Sequence, residues 1–262
     1  MTIEALPFVN WIFWAALSSG SMLVLGGTEL LGGTTRGFRL FMAWSFIACA
    51  VIWVGSELIL PAIGSGNVPA AATEAIRRPL VIAWSVIAAA YLVQSLRDAP
   101  RGWLAVTGGL VGIVALVVLA AAGGTQLTAL FAAQLVLAAL TLGSVWTAML
   151  LGHWYLVTPQ LSPVPLRRMM AVLLAALAIQ AVAFVLAVTL APGVTSGEMG
   201  WLAWLRLLAG TLLPIGITVL AWLASRAASL QASTGLLYIG LALVMAGSIA
   251  GPSIAYLTGV PV

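Results

Sequence analysis

The sequence predicts an all-α fold: a polytopic transmembrane bundle of eight helices in two groups of four, with both termini outside. Three observations predict it. Of the 262 residues, 63% are hydrophobic and only 6% are charged, against roughly 25% charged in a soluble globular domain. Apolar runs of about 20 residues, the length that crosses the hydrocarbon, recur along the chain. Arginine, proline or glycine separates them, and most of the arginines fall in alternate gaps. The lipid bilayer is the expected solvent and first partner.

Each span follows from its apolar run and its breakers, with bounds at about 8–32, 40–61, 79–96, 102–122, 128–153, 168–191, 200–224 and 234–258. The first run opens on Trp11 and Trp14 and stops at Gly32-Gly33; the second follows Arg36 and Arg39 and stops at Pro61. The segment MTIEALPFVN lacks the basic start and small-residue cleavage site of a signal peptide, so the first run is kept as a mature helix. The longest loop, about 61–78, ends in TEAIRRPL. There Glu74 stands three and four residues before Arg77 and Arg78, which suits a short interfacial helix with local ion pairs, read first as a solvated loop and second as a partner-binding surface. The third and fourth runs flank Arg97, Pro100 and Arg101, and the fourth ends at Gly123-Gly124. The fifth ends at His153, before the prolines at 159–165; the sixth ends at Pro192-Gly193. The seventh opens on Trp201 and Trp204 and carries Pro214 inside it; the eighth follows Arg226. Indole rings favour the headgroup level, so tryptophans at span ends act as anchors.

Orientation rests on the arginines. Arg36, Arg39, Arg97, Arg101, Arg167, Arg168 and Arg226 share one side, and only Arg77 and Arg78 lie on the other. The arginine-rich side is then cytoplasmic, in the cell (inner or plasma) membrane. The net charge of +4 comes with ten arginines and no lysine, placed mostly singly or in pairs between spans. That is an orientation pattern, not a phosphate-tracking stripe, and no nucleic-acid partner is expected.

Two halves, 1–125 and 126–262, are expected within one membrane domain. SGSMLVLGGTELLGG (19–33) can be laid over LGSVWTAMLLGHWYL (142–156) at an offset of 123. Either a four-helix unit is duplicated, with parallel halves, or the overlay reflects the small residues common to helix interfaces.

Polar residues within spans are the best pointers to function, because a charge at the bilayer centre is costly. Glu57 lies about 6 Å and Arg206 about 9 Å inside the outer ends of their helices, at about 1.5 Å per residue, and Gln134 is at a similar depth. Two readings are open: Glu57 and Arg206 pair, or each snorkels to the interface. On the inner side, Glu29 and His153 also carry two readings. They exchange protons as a carboxylate–imidazole couple, or His153 belongs to an interfacial belt with Trp154 and Tyr155.

The chain lacks HExxH, a Walker A loop and a GxGxxG fingerprint. His153 is the only histidine, so a bis-histidine haem is excluded; Cys49 is the only cysteine and Asp98 the only aspartate. No metal site and no catalytic motif are expected, and at most the chain is a subunit of a membrane oxidoreductase.

One resemblance adds to this. WIFWAALSSGSMLVLGGTELLGG, followed by a short arginine loop and a second apolar helix, resembles the opening of the polysulfide-reductase (NrfD-type) membrane subunits. It covers the first sixty residues or so and assigns no quinol-binding residue. The resemblance implies eight helices in two four-helix bundles, no haem, and exchange of electrons and protons between quinol and an iron–sulfur partner subunit. The first expected function is therefore a quinone-handling or anchoring subunit of a membrane complex, with quinone as its only cofactor. The alternatives are a secondary transporter of a small solute or lipid, and a structural or assembly subunit.

Overall fold

The computed structural model describes residues 5–63, 68, 70–99, 101–122, 127–158 and 161–262. Eight helices among them are long and apolar enough to cross a membrane. They are α1 (Leu6–Leu30), α2 (Arg36–Ile63), α3 (Glu74–Leu96), α4 (Gly102–Ala121), α5 (Thr128–Val157), α6 (Val164–Leu190), α7 (Gly200–Arg226) and α8 (Leu230–Thr258). The described residues contain no strand. In lipid every backbone polar group needs an internal partner, and helices supply it. The chain is a multi-pass membrane protein.

Several helices begin earlier than their apolar runs. Pro7 and Pro165 occupy the first turns of α1 and α6, where a missing N–H is no loss. The larger difference is α3. It starts at Glu74, after a 3-10 turn over Ala70–Thr73, and runs through Pro79. The buried positions Arg77, Val81, Trp84, Ala88, Tyr91 and Ser95 form one stripe at helical spacing.

Pro214 does not kink α7 as a plain interruption. The turn before it, Leu208–Leu212, widens into a π-helix. A proline ring clashes with the carbonyl four residues earlier, and a widened turn moves that carbonyl aside. Thr211 donates its hydroxyl to the Arg206 carbonyl at 3.1 Å within this turn.

α1 and α5 are the central helices. In each, 78% of the most apolar window is buried within the protein, against 28–50% in the others. α1 lies against α2, α4, α5 and α8; α5 lies against α1, α4, α6 and α8. The pairs α2–α3, α3–α4, α6–α7 and α7–α8 also pack together. α1 and α5 cross at Gly20 and Gly143, the residues that the offset of 123 superposes. A Cβ on Gly20 would fall inside the Ala139 carbonyl, and one on Gly143 would fall inside the Gly20 backbone. α7 and α8 meet in the same way at Gly210 and Gly247. Such close approach maximises backbone contact where lipid gives no hydrophobic drive between helices.

Side-chain contacts join helix termini at one end of the bundle. Arg36 donates to the Leu96 carbonyl, Arg39 meets Asp98, and Arg167 donates to Ser225. Phe38 packs on Trp154, and the Gly33 turn lies against Pro165. This is the arginine-rich end. At the opposite end Trp11 reaches Glu57, and Phe8 packs on Tyr256.

Candidate functional site

Glu57 does not pair with Arg206. Its partner is Arg77 of α3, with Nε at 2.9 Å from Oε2 and Nη2 at 3.0 Å from Oε1. Both side chains are buried, at 2% and 0% exposure. The fork is bidentate, the geometry in which guanidinium and carboxylate interact best. Arg77 Nη1 donates to the Ala70 carbonyl at 2.6 Å and to Thr73 Oγ1 at 3.1 Å. Trp11 Nε1 donates to Glu57 Oε2 at 2.7 Å, and its ring lies 5.4 Å from the guanidinium carbon. The ion pair is thus satisfied on both sides, which is the condition for burying charge. Trp11, Trp53 and Trp84 continue inward as edge-to-face pairs at 5.5 and 5.2 Å. Arg77 is therefore no part of a solvated loop. Its neighbour Arg78, on the same helix, is partly exposed and paired with Glu74 one turn earlier.

Arg206 lies in α7, 3% exposed. Nη1 donates to the Gly247 carbonyl of α8 at 2.9 Å, and the guanidinium occupies the space beside Gly251. No carboxylate lies within ion-pair distance among the described residues. Pro252 follows in α8, and having no N–H it leaves the Ser248 carbonyl without its helical donor. Arg206 bonds the carbonyl next to it, that of Gly247. Gln134 is buried, and its Nε2 finds no partner among the described residues. Sequence reasoning passed over Gln180, whose Nε2 donates to Thr211 at 3.2 Å. The offset of 123 superposes Gln180 on Glu57 and Gln134 on Trp11. Trp11 and Glu57 belong to a charged network, whereas Gln134 and Gln180 are neutral amides.

The inner pair is also divided. Glu29 Oε1 accepts from the Tyr91 hydroxyl of α3, while Glu29 Oε2 is buried without a partner among the described residues. His153 Nδ1 lies 3.2 Å from the Tyr238 hydroxyl of α8, at an exposed position. The two aromatic rings meet edge to face at 6.3 Å.

Two cavities flank the last turn of α1. One, about 520 Å³, is polar and opens at the arginine-rich end; Glu29, Arg39, Arg101, Gly102 and Trp103 line it. The other, about 390 Å³, is an apolar groove between α1, α4, α5 and α6. Gly27, Thr28, Leu31, Val106, Leu140 and Arg168 are among its walls. Gly27 has no neighbour where its Cβ would be. Leu31 and Val172, also in its wall, are exposed, so the groove opens outward. Among the described residues, no three His, Cys, Asp or Glu side chains converge as a metal site. No protein-family model matches the chain, and neither does any curated protein or solved structure.

Proposed function

We propose that this multi-pass protein is a haem-free, quinone-handling subunit of a membrane redox complex. The groove between α1, α4, α5 and α6 takes the quinone ring. One observation carries this reading: an apolar slot of about 390 Å³ that opens outward and has one cation in its wall. A quinone is a flat apolar ring with two carbonyls and a lipid tail. Arg168 donates to one carbonyl, and Thr28 Oγ1, whose own proton goes to Val24, accepts from a quinol hydroxyl. On oxidation, two electrons pass to one-electron centres of an iron–sulfur partner docked at the arginine-rich end, and two protons pass to water there. The arginine-rich end is cytoplasmic in the cell membrane. The halves 1–125 and 126–262 are parallel copies about the Gly20–Gly143 crossing.

Fluorescence quenching of a quinol analogue tests this with purified protein in nanodiscs. Gly27→Leu places a side chain in the groove from a position whose Cβ meets nothing within 4 Å. It is expected to weaken binding by about tenfold or more, with helix content and dispersity unchanged. Wild-type protein that fails to quench the analogue overturns the reading.

A second reading is a secondary transporter. The widened turn of α7 beside the buried Arg206, which has no carboxylate partner among the described residues, favours it, since transporter sites use interrupted helices near the midplane. Solute counterflow in proteoliposomes, abolished by Arg206→Gln, would favour transport over quinone handling.

A further inference from the structure

The polar cavity at the arginine-rich end holds charges of both signs with unused valences. Glu29 Oε2 is buried and has no partner among the described residues. Arg39 uses Nη1 on the Thr34 carbonyl and Nη2 on Asp98, and leaves Nε buried and unpartnered among the described residues. Arg101 precedes α4, and no side chain caps that helix. The first-turn N–H groups of Gly102 and Trp103 therefore have no side-chain acceptor among the described residues, at the positive end of a 20-residue helix.

A simple anion would satisfy the arginines and the helix terminus but would face the Glu29 carboxylate. A simple cation would satisfy Glu29 and face two guanidinium groups. Only a ligand with an ammonium beside an anionic group satisfies both. The walls say where such a ligand comes from. Leu30 and Trp103 line the mouth and are 61% and 51% exposed. They form an apolar ramp at the depth where indole rings meet headgroups.

We propose that this cavity binds the headgroup of a zwitterionic phospholipid with a primary ammonium, phosphatidylethanolamine in chemical class. Its phosphate meets Arg39 Nε, Arg101 and the α4 N-terminus. Its ammonium donates to Glu29 Oε2, and its acyl chains leave along Leu30 and Trp103. The site lies across α1 from the groove and does not depend on the quinone reading.

Native mass spectrometry of the full chain tests this against phosphatidylethanolamine, phosphatidylcholine and phosphatidylglycerol of matched chains. The expected result is a preference of about fivefold for phosphatidylethanolamine over each of the others. Phosphatidylcholine lacks N–H donors, and phosphatidylglycerol lacks the cation. Glu29→Gln keeps an acceptor for Tyr91 and is expected to erase the preference over phosphatidylglycerol. Arg101→Gln, at an exposed position, is expected to weaken all three lipids alike. Circular dichroism confirms that both variants fold. Equal binding of the three lipids by the wild type, or an unchanged preference in Glu29→Gln, overturns the proposal. So does binding of soluble phosphoethanolamine with no lipid preference, which would make the ligand a free zwitterion.

Discussion

Arg77 and Arg78 are adjacent in the chain, and almost everything that sets the energy of a charge differs between them. Arg77 has four nitrogen-to-oxygen contacts and a buried carboxylate partner. Arg78 has a partly exposed glutamate one turn away. Removing one member of a buried pair leaves an unpaired charge and costs about 3–5 kcal/mol, whereas an exposed pair contributes about 0–1 kcal/mol. Arg77→Met is therefore expected to lower stability by about 3–5 kcal/mol and Arg78→Met by less than 1 kcal/mol. Denaturant titration in detergent measures both, and equal losses would contradict the assignment. His153→Phe is expected to change stability by about 0.5 kcal/mol or less, because its bond to Tyr238 is exposed. Composition showed that intramembrane charge was scarce and therefore informative. It did not show which charge meets which. Glu57 and Arg77 are twenty residues apart, on two different helices.

Elements were legible wherever apolar length alone determined them. All eight spans follow from hydrophobic runs, since lipid permits no other use for so much apolar chain. The start of α3 was not legible, because Pro79 and two arginines resemble a loop. The signal was present in the stripe that continues Val81 and Trp84 back to Arg77. The widened turn of α7 was marked only by Pro214; the approach of Gly210, within that turn, to Gly247 of another helix was not legible. The α1–α5 crossing makes a sharp prediction. Gly20→Ala drives a methyl group into the Ala139 carbonyl, so the two central helices must separate. Overpacking of this kind costs about 1–3 kcal/mol or more. Gly216→Ala, with nothing within 4 Å, is expected to be neutral or mildly stabilising. Thermal unfolding of the two variants distinguishes them, and a Gly20→Ala protein as stable as wild type would contradict the crossing.

At the scale of the whole molecule, contacts at the arginine-rich end join termini of α1, α2, α3, α5, α6 and α7, and α1 and α5 form the middle. Single cysteines at 36, 98 and 226 are expected to react with an impermeant maleimide from one side only, and a cysteine at 198 from the other. All four positions are exposed. Mixed labelling would break the topology, and the cytoplasmic placement of the arginine-rich end depends on which side reacts. The sequence by itself determined that the chain is helical, that it spans a membrane eight times and that its arginines lie mainly in alternate loops. These follow from one-dimensional quantities: apolar length against bilayer thickness, and the position of charge along the chain. Only the tertiary structure decided that Glu57 belongs to Arg77 and that Arg206 stands without an acid among the described residues. It also decided that a polar cavity and an apolar groove share the last turn of α1. Partner choice in a low-dielectric interior depends on ångström-scale distance and on rotation about helix axes. Neither is contained in hydropathy, which averages over the faces of a helix.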